Sequence, residues 1–196
     1  MPDIYDITNS GVATKIQNVY DISASGVATQ IKRIDDISNT GVANLVYIIP
    51  KLLYNRGTVG PEAGSFTNIG GVAGSFTTTN NQLQIQADAS SYGNRAAGSS
   101  LAFDVTEYNK LRVIATSSGA GNGSNTVKIA LSKTRTGDDN AYTPSKGWTI
   151  NPGGTETEFI WDISAHIGTY YFILRAYNWS ASNKVWLRVH EAELLG

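Results

Sequence analysis

No cysteine occurs in the chain, which excludes disulfides and thiolate metal sites and leaves the compartment open. Charge is scarce as well: charged residues make up 16% of the 196 residues, against roughly 25% in an average globular chain. The net charge is −1, and no basic cluster is longer than the pair Lys32-Arg33. Without a basic patch there is no electrostatic footprint for nucleic acid. Long apolar runs are missing too. Runs such as Leu45 to Ile49 are far too short to span a bilayer, so no membrane insertion is expected. The start MPDIYDITNS has neither a basic region nor an apolar core, so no signal peptide is read there. A protein without an export signal still reaches the exterior when it leaves as part of a particle.

What the chain does have is Gly, at 20 residues, together with abundant Ser, Thr and Asn. This composition favours turns and strands, and few windows carry the Glu/Lys/Leu/Ala mixture of a solvated helix. A repeat of 15 residues is plain in YDITNSGVATKIQNV from Tyr5, YDISASGVATQIKRI from Tyr20 and DDISNTGVANLVYII from Asp35. Asp6, Asp21 and Asp36 align, as do Ile7, Ile22 and Ile37. Gly11, Gly26 and Gly41 align as well, each in a turn-forming segment where positive φ is free to glycine. Each unit reads as strand, tight turn, strand. Such a hairpin is marginal alone in water, and three of them form at most a narrow ribbon with one apolar side. That side calls for cover: the rest of the chain, a second copy or another protein. A self-contained meander is the plainer alternative.

A 15-residue strand-turn-strand unit with Gly in its turn resembles the shaft repeat of trimeric viral fibres, the triple β-spiral. Units such as YDISASGVATQIK are more closely similar to those of tail and virion structural proteins of bacteriophages and prophages of gut Firmicutes, which precede a jelly-roll-like domain. The resemblance covers residues 3 to about 49. It implies a virion-associated homo-oligomer, a trimer in the fibre form, that contacts other virion proteins and is made in the bacterial cytoplasm. The chain departs from a fibre shaft in having only three repeats and no Pro in any turn.

Pro50 ends the repeat. The domain reading is therefore residues 1–50 as three β-hairpin repeats for attachment or oligomerisation, 51–62 as a linker, and 63–196 as a β-sandwich. Alternation marks the sandwich strands. Leu83, Ile85 and Ala87 share one face of QLQIQAD; Leu111, Val113 and Ala115 share another; Val127, Ile129 and Leu131 a third. Phe159, Trp161 and Ile163 fall together, as do Phe172, Leu174 and Ala176, and Val185, Leu187 and Val189. Seven or eight strands with Gly/Ser/Asn-rich loops and no helix predict an all-β chain whose larger part is an antiparallel, jelly-roll-like sandwich. The segments FDVTEYNKLRV (Phe103–Val113) and WDISAHIGTYY (Trp161–Tyr171), with the closing EAELL, resemble jelly-roll carbohydrate-binding modules. Fold does not carry function with it.

Catalytic groups are sparse. His166, in the turn-like SAHIG, is expected to face solvent, and His190 to lie on the polar side of the last strand. Glu156 with Glu158, and Asp104 with Glu107, are the carboxylate pairs a glycosidase could use, though solvated strand residues and turn caps explain both pairs. Asp138 and Asp139 are candidate calcium ligands in a Gly-containing loop without EF-hand spacing; a hydrophilic loop tip is the plainer reading. Apart from that structural calcium, no cofactor is expected.

The outward residues of the last two strands are richer. Tyr171, Arg175 and Tyr177 alternate against the Phe172 set, and Trp186, Arg188 and His190 against the Val185 set. If the two strands share a sheet, one face gathers rings and planar cations, with Trp148, Tyr142 and Trp179 extending it from loops. Sugars stack on such surfaces. An oligomer interface and the second half of the core fit the same pattern. The leading expectation is a non-enzymatic virion protein whose sandwich displays a surface for a receptor or cell-surface glycan. The alternative is a stand-alone carbohydrate-binding module of a cell surface or polysaccharide-degrading system; a small glycoside hydrolase or lyase comes third.

Overall fold

A computed structural model gives the backbone at 4–7, 13–16, 20–22, 28–30, 33–37, 43–78, 81–89, 93–118, 126–137, 146–150, 153–178 and 183–196, with side chains from 48 onward except 146–148. The chain divides into two compact units, Met1–Ile49 and Pro50–Gly196.

In the first unit every repeat is one hairpin. β1 (Ile4–Ile7) pairs with β2 (Ala13–Ile16), β3 (Tyr20–Ile22) with β4 (Ala28–Gln30), and β5 (Arg33–Ile37) with β6 (Ala43–Ile48). The register repeats with the sequence: Ile7 opposes Ala13, Ile22 opposes Ala28, and Ile37 opposes Ala43. The turn glycines Gly11, Gly26 and Gly41 lie outside the described residues.

The second unit is a two-layer antiparallel sandwich. Its strands are β7 (Lys51–Asn55), β8 (Thr58–Val59), β9 (Phe66–Gly70), β10 (Gly74–Thr77), β11 (Leu83–Ala87), β12 (Gly93–Ser99) and β13 (Phe103–Asp104), followed by β14 (Lys110–Ser117), β15 (Thr126–Ser132), β16 (Lys146–Ile150), β17 (Thr157–Asp162), β18 (Thr169–Asn178) and β19 (Val185–Leu195). The first sheet runs β10-β11-β19-β14-β17, and β7 also pairs with β19 and carries β8. The second runs β16-β15-β18-β12-β9, with β13 on β18. β11 and β7 sit end to end against β19: Leu83–Ala87 pair with Val185–Val189, and Lys51–Asn55 with Glu191–Leu194.

The alternation read from the sequence sets the core. Leu83, Ile85, Leu111, Val113, Val127, Ile129, Leu131, Phe172, Leu174, Val185, Leu187 and Val189 are all at most 2% exposed. Burying each such side chain contributes about 1.5–3 kcal/mol. Rings join the layers: Tyr54 of β7 meets Phe66 edge-on at 6.2 Å, and Phe66 meets Phe172 of β18 at 6.1 Å. β17 is an edge strand, so Phe159 and Trp161 stay half-buried and stack on each other at 5.6 Å.

Residues 51–62 are not the linker expected from their glycines. Leu53 and Tyr54 are 0% and 1% exposed, and β7 is part of the first sheet. The glycines here make tight contacts in place of a flexible tether. Gly60 passes so close to Leu52 that a Cβ would fall 1.8 Å from the Leu52 carbonyl oxygen. Arg56 and Gly57, at φ 40° and 99°, close the β7–β8 hairpin, because a two-residue loop needs positive φ at both positions. That turn places Arg56 against the outer side of the first sheet.

Candidate functional site

β18 and β19 do not share a sheet, so the single aromatic face expected from them does not form. Tyr171, Arg175 and Tyr177 lie on the outer side of the second sheet, and Trp186 and Arg188 on the outer side of the first. The two groups face opposite ways, because consecutive strands here cross from one layer to the other. Trp148 lies in β16, opposite Ile129. Trp179, Tyr142, Asp138 and Asp139 lie outside the described residues. Among the described residues no group of three or more metal-ligating side chains occurs.

The outer side of the second sheet is roofed at its centre. Ile173 is 0% and Ala130 1% exposed although both point away from the core, and Ile69 and Tyr171 pack over them. The segment after β15 crosses this face. Arg135 donates from Nε to the Ser99 carbonyl at 2.8 Å and from Nη2 to the Thr67 hydroxyl, and Gly137 lies against Ala96. Arg175 and Tyr177 stack at 5.4 Å and are half-buried.

The outer side of the first sheet is a grid of mostly polar, half-buried side chains. Gln86 stands beside Trp186; Gln84, Arg188 and Thr116 form the next row. Beyond them come Glu191, Ile114 and Glu158, then Glu193, Arg112 and Ile160, the last 52% exposed. The guanidinium of Arg188 lies 4.3 Å from the Trp186 ring centre, and its Nε donates to Gln84 Oε1 at 2.6 Å.

The centre of the grid is a network of ion pairs. Arg56 grips Glu156 through both terminal nitrogens, at 3.2 and 2.8 Å, and reaches Glu191 from Nε at 2.9 Å. Arg112 joins Glu158 at 2.5 Å, Glu193 at 2.8 Å and Glu191 at 3.3 Å. A depression between Tyr54, Arg112, Glu191 and Glu193 measures about 40 Å³, room for a few waters and too small for a sugar ring.

His190 is the extra residue of a bulge, since Ile114 opposes Glu191 while Ala115 opposes Val189. The bulge leaves His190 on the outer side with Glu191, as the alternation predicts, but neighbouring side chains cover the ring, which is 4% exposed. Its Nε2 is 3.1 Å from Thr116 Oγ1 and its Nδ1 3.5 Å from Glu156 Oε1. Burial holds its pKa below 6.5; Arg56 and Arg188 push the same way, and Glu156 opposes them. His166 differs from the solvent-facing position expected of it. It is 9% exposed, because the turn folds back through its own N–H to the Ile163 carbonyl at 2.7 Å and lays the ring against Tyr170.

Thr116, His190 and Glu156 have the order of a nucleophile, base and orienting acid. The chemistry is missing: Thr116 is 6% exposed, and Arg56 already holds the Glu156 carboxylate. Hydrogen bonds from Arg56 keep the Glu156 pKa below the usual carboxylate range, the opposite of what a glycosidase acid needs. Asp104 is a turn cap, accepting from the Thr106 N–H at 2.9 Å and hydroxyl at 2.6 Å, and its pKa is lowered by those bonds.

The outward glutamines of QLQIQAD were visible in the alternation as the polar side of β11. Arg56 and Arg112 gave no comparable signal, because their partners lie on other strands.

No protein-family model matches the chain, and no curated protein matches it. Several solved structures are similar to it at a distance. A carbohydrate-binding module of family 29 has 13% identity and a TM-score of 0.47, over 74% of this chain and 86% of that one. A variant of a family 29 module complexed with mannohexaose has 13% identity and a TM-score of 0.49, over 76% and 92%. The glycoside hydrolase domain of Endo-D from Streptococcus pneumoniae R6 has 18% identity and a TM-score of 0.47, over 66% of this chain and only 21% of that one.

Proposed function

We propose that this chain is a non-catalytic glycan-binding protein and that the outer side of its first sheet is the binding surface. The observation that carries this reading is the contrast between the two outer faces. One is roofed by its own chain over Ile173 and Ala130. The other is a grid of polar side chains with an aromatic ring at one end and planar hydrogen-bonding groups beside it. Sugars need that pairing: a ring for their CH faces and fixed polar groups for their hydroxyls. Trp186 supplies the ring and Gln86 an amide next to it. The carboxylates of the grid are held by guanidinium groups, which suits them to orient hydroxyls and unsuits them to proton transfer.

The test is binding of the full chain to an array of polysaccharides and oligosaccharides, followed by titration of any ligand found. The Trp186→Ala variant is expected to lose binding, while a substitution at Tyr177 on the roofed face leaves it unchanged. Binding that survives Trp186→Ala and fails on Tyr177→Ala would move the site to the other sheet. The virion role implied by the repeats rests on residues 3–49 alone. In it, the hairpin array attaches the sandwich or joins copies of it, and the solution mass of the full chain tests the second option.

A further inference from the structure

The grid divides electrically into two zones. In the first, Arg56 and Arg112 are paired with Glu156, Glu158, Glu191 and Glu193, two positive charges against four negative ones. In the second, Arg188 meets, among the described residues, the neutral amide of Gln84 and the face of Trp186. Among the described residues Arg188 has no carboxylate partner. Gln84 takes the Nε–H, which fixes the plane of the guanidinium and leaves its Nη1/Nη2 edge without a protein acceptor among those residues. That edge offers two parallel N–H groups, the fork that matches a carboxylate. The charge is felt locally, since Arg188, after burial, is one of the groups that lower the pKa of His190.

We infer that Arg188 is an anion-recognition residue, and that the glycan taken by this face carries a carboxylate: an acidic sugar whose ring lies along Trp186 while its carboxylate pairs with the Nη edge of Arg188. The inference rests on the glycan-binding reading of this face and names the ligand class. The first zone sets four carboxylates against two guanidinium groups, a net charge of −2, so a ligand carboxylate is disfavoured there and is directed to the Arg188 end. Beside the ring the guanidinium of Arg188 lies against Trp186, while the nearby Asp88 carboxylate, held by Gln86, has Lys184 at 4.0 Å. A neutral sugar would leave the guanidinium without an acceptor as it is drawn out of water, which costs binding energy.

The test uses the full chain and a panel of polyuronates (polygalacturonate, alginate and hyaluronan), each beside its carboxyl-reduced, neutral counterpart. At least one polyuronate is expected to bind, more weakly as NaCl rises, with its reduced counterpart bound about tenfold less well, the size of one charge-assisted pair. Arg188→Gln is expected to erase that difference and Arg188→Lys to restore part of it, with unchanged melting curves showing that both variants fold. Equal binding of acidic and reduced polymers, or Trp186-dependent binding of neutral polymers alone, overturns this inference and leaves the glycan reading standing. Absence of binding to every polymer, acidic or neutral, overturns both.

Discussion

Arg56 and Glu156 stand 100 positions apart in sequence and meet side by side on the outer face of the first sheet, two nitrogens to two oxygens. The pair is ideal in geometry and open to water, with side chains 47% and 43% exposed. Water screens such a pair, so its contribution to stability is small. Arg56→Ala is expected to leave the urea midpoint nearly unchanged. Leu187→Ala, in the fully buried core, is expected to cost about 2–5 kcal/mol. Equilibrium unfolding of the two variants checks both statements.

Acid is expected to weaken the fold through His190. Its native pKa lies below 6.5, so between that lowered value and 6.5 the unfolded chain binds the proton and the native chain does not. Stability therefore falls as the pH drops below 6.5 and levels off once the native ring also protonates. His190→Gln is expected to flatten this part of the pH profile. Urea midpoints measured from pH 7.5 down to about 5 for both proteins would show the difference. A wild-type profile as flat as that of the variant would contradict the assignment.

Gly60 is expected to tolerate no side chain. A methyl group there meets the backbone carbonyl of Leu52, and neither strand β7 nor its partner β19 can move aside cheaply. Gly60→Ala should cost about 1–3 kcal/mol by overpacking, read from denaturant unfolding. Gly154→Ala, where a Cβ meets nothing within 4 Å, serves as the control with little change.

No polysaccharide turnover is expected from the purified chain, and Glu158→Gln should leave reducing-sugar release at the blank level shown by the wild type. Release of sugar by the wild type, lost in Glu156→Gln or Glu158→Gln, would show that an acid and a base operate in spite of the ion pairs.

The core was legible because burial follows the period of two. Leu83, Ile85 and Leu187 were all placed inward by alternation alone, and all are 0% exposed. The site was less legible. Alternation says which side of its own strand Arg188 or Tyr177 takes, but not which strands are neighbours, and β18 and β19 turned out to lie in different layers. Register faults are equally silent: one extra residue opposite β14 sets His190 against Thr116 and Glu156, where it is buried. In residues 51–62 the glycines concealed a strand, since the same residue type serves loose loops and crowded contacts, and only the approach of Leu52 to Gly60 tells them apart.

β19 forms ladders with β7, β11 and β14, the first two sharing one edge. Synthesis delivers those three strands well before residues 185–195 emerge. Until then the first sheet lacks its middle, and the three earlier strands hold open hydrogen-bonding edges and apolar faces. Closure must therefore be a late, long-range event, on the millisecond-to-second scale of sandwich folding. The waiting chain is most exposed to chaperones, proteases and aggregation in the interval before its last strand docks.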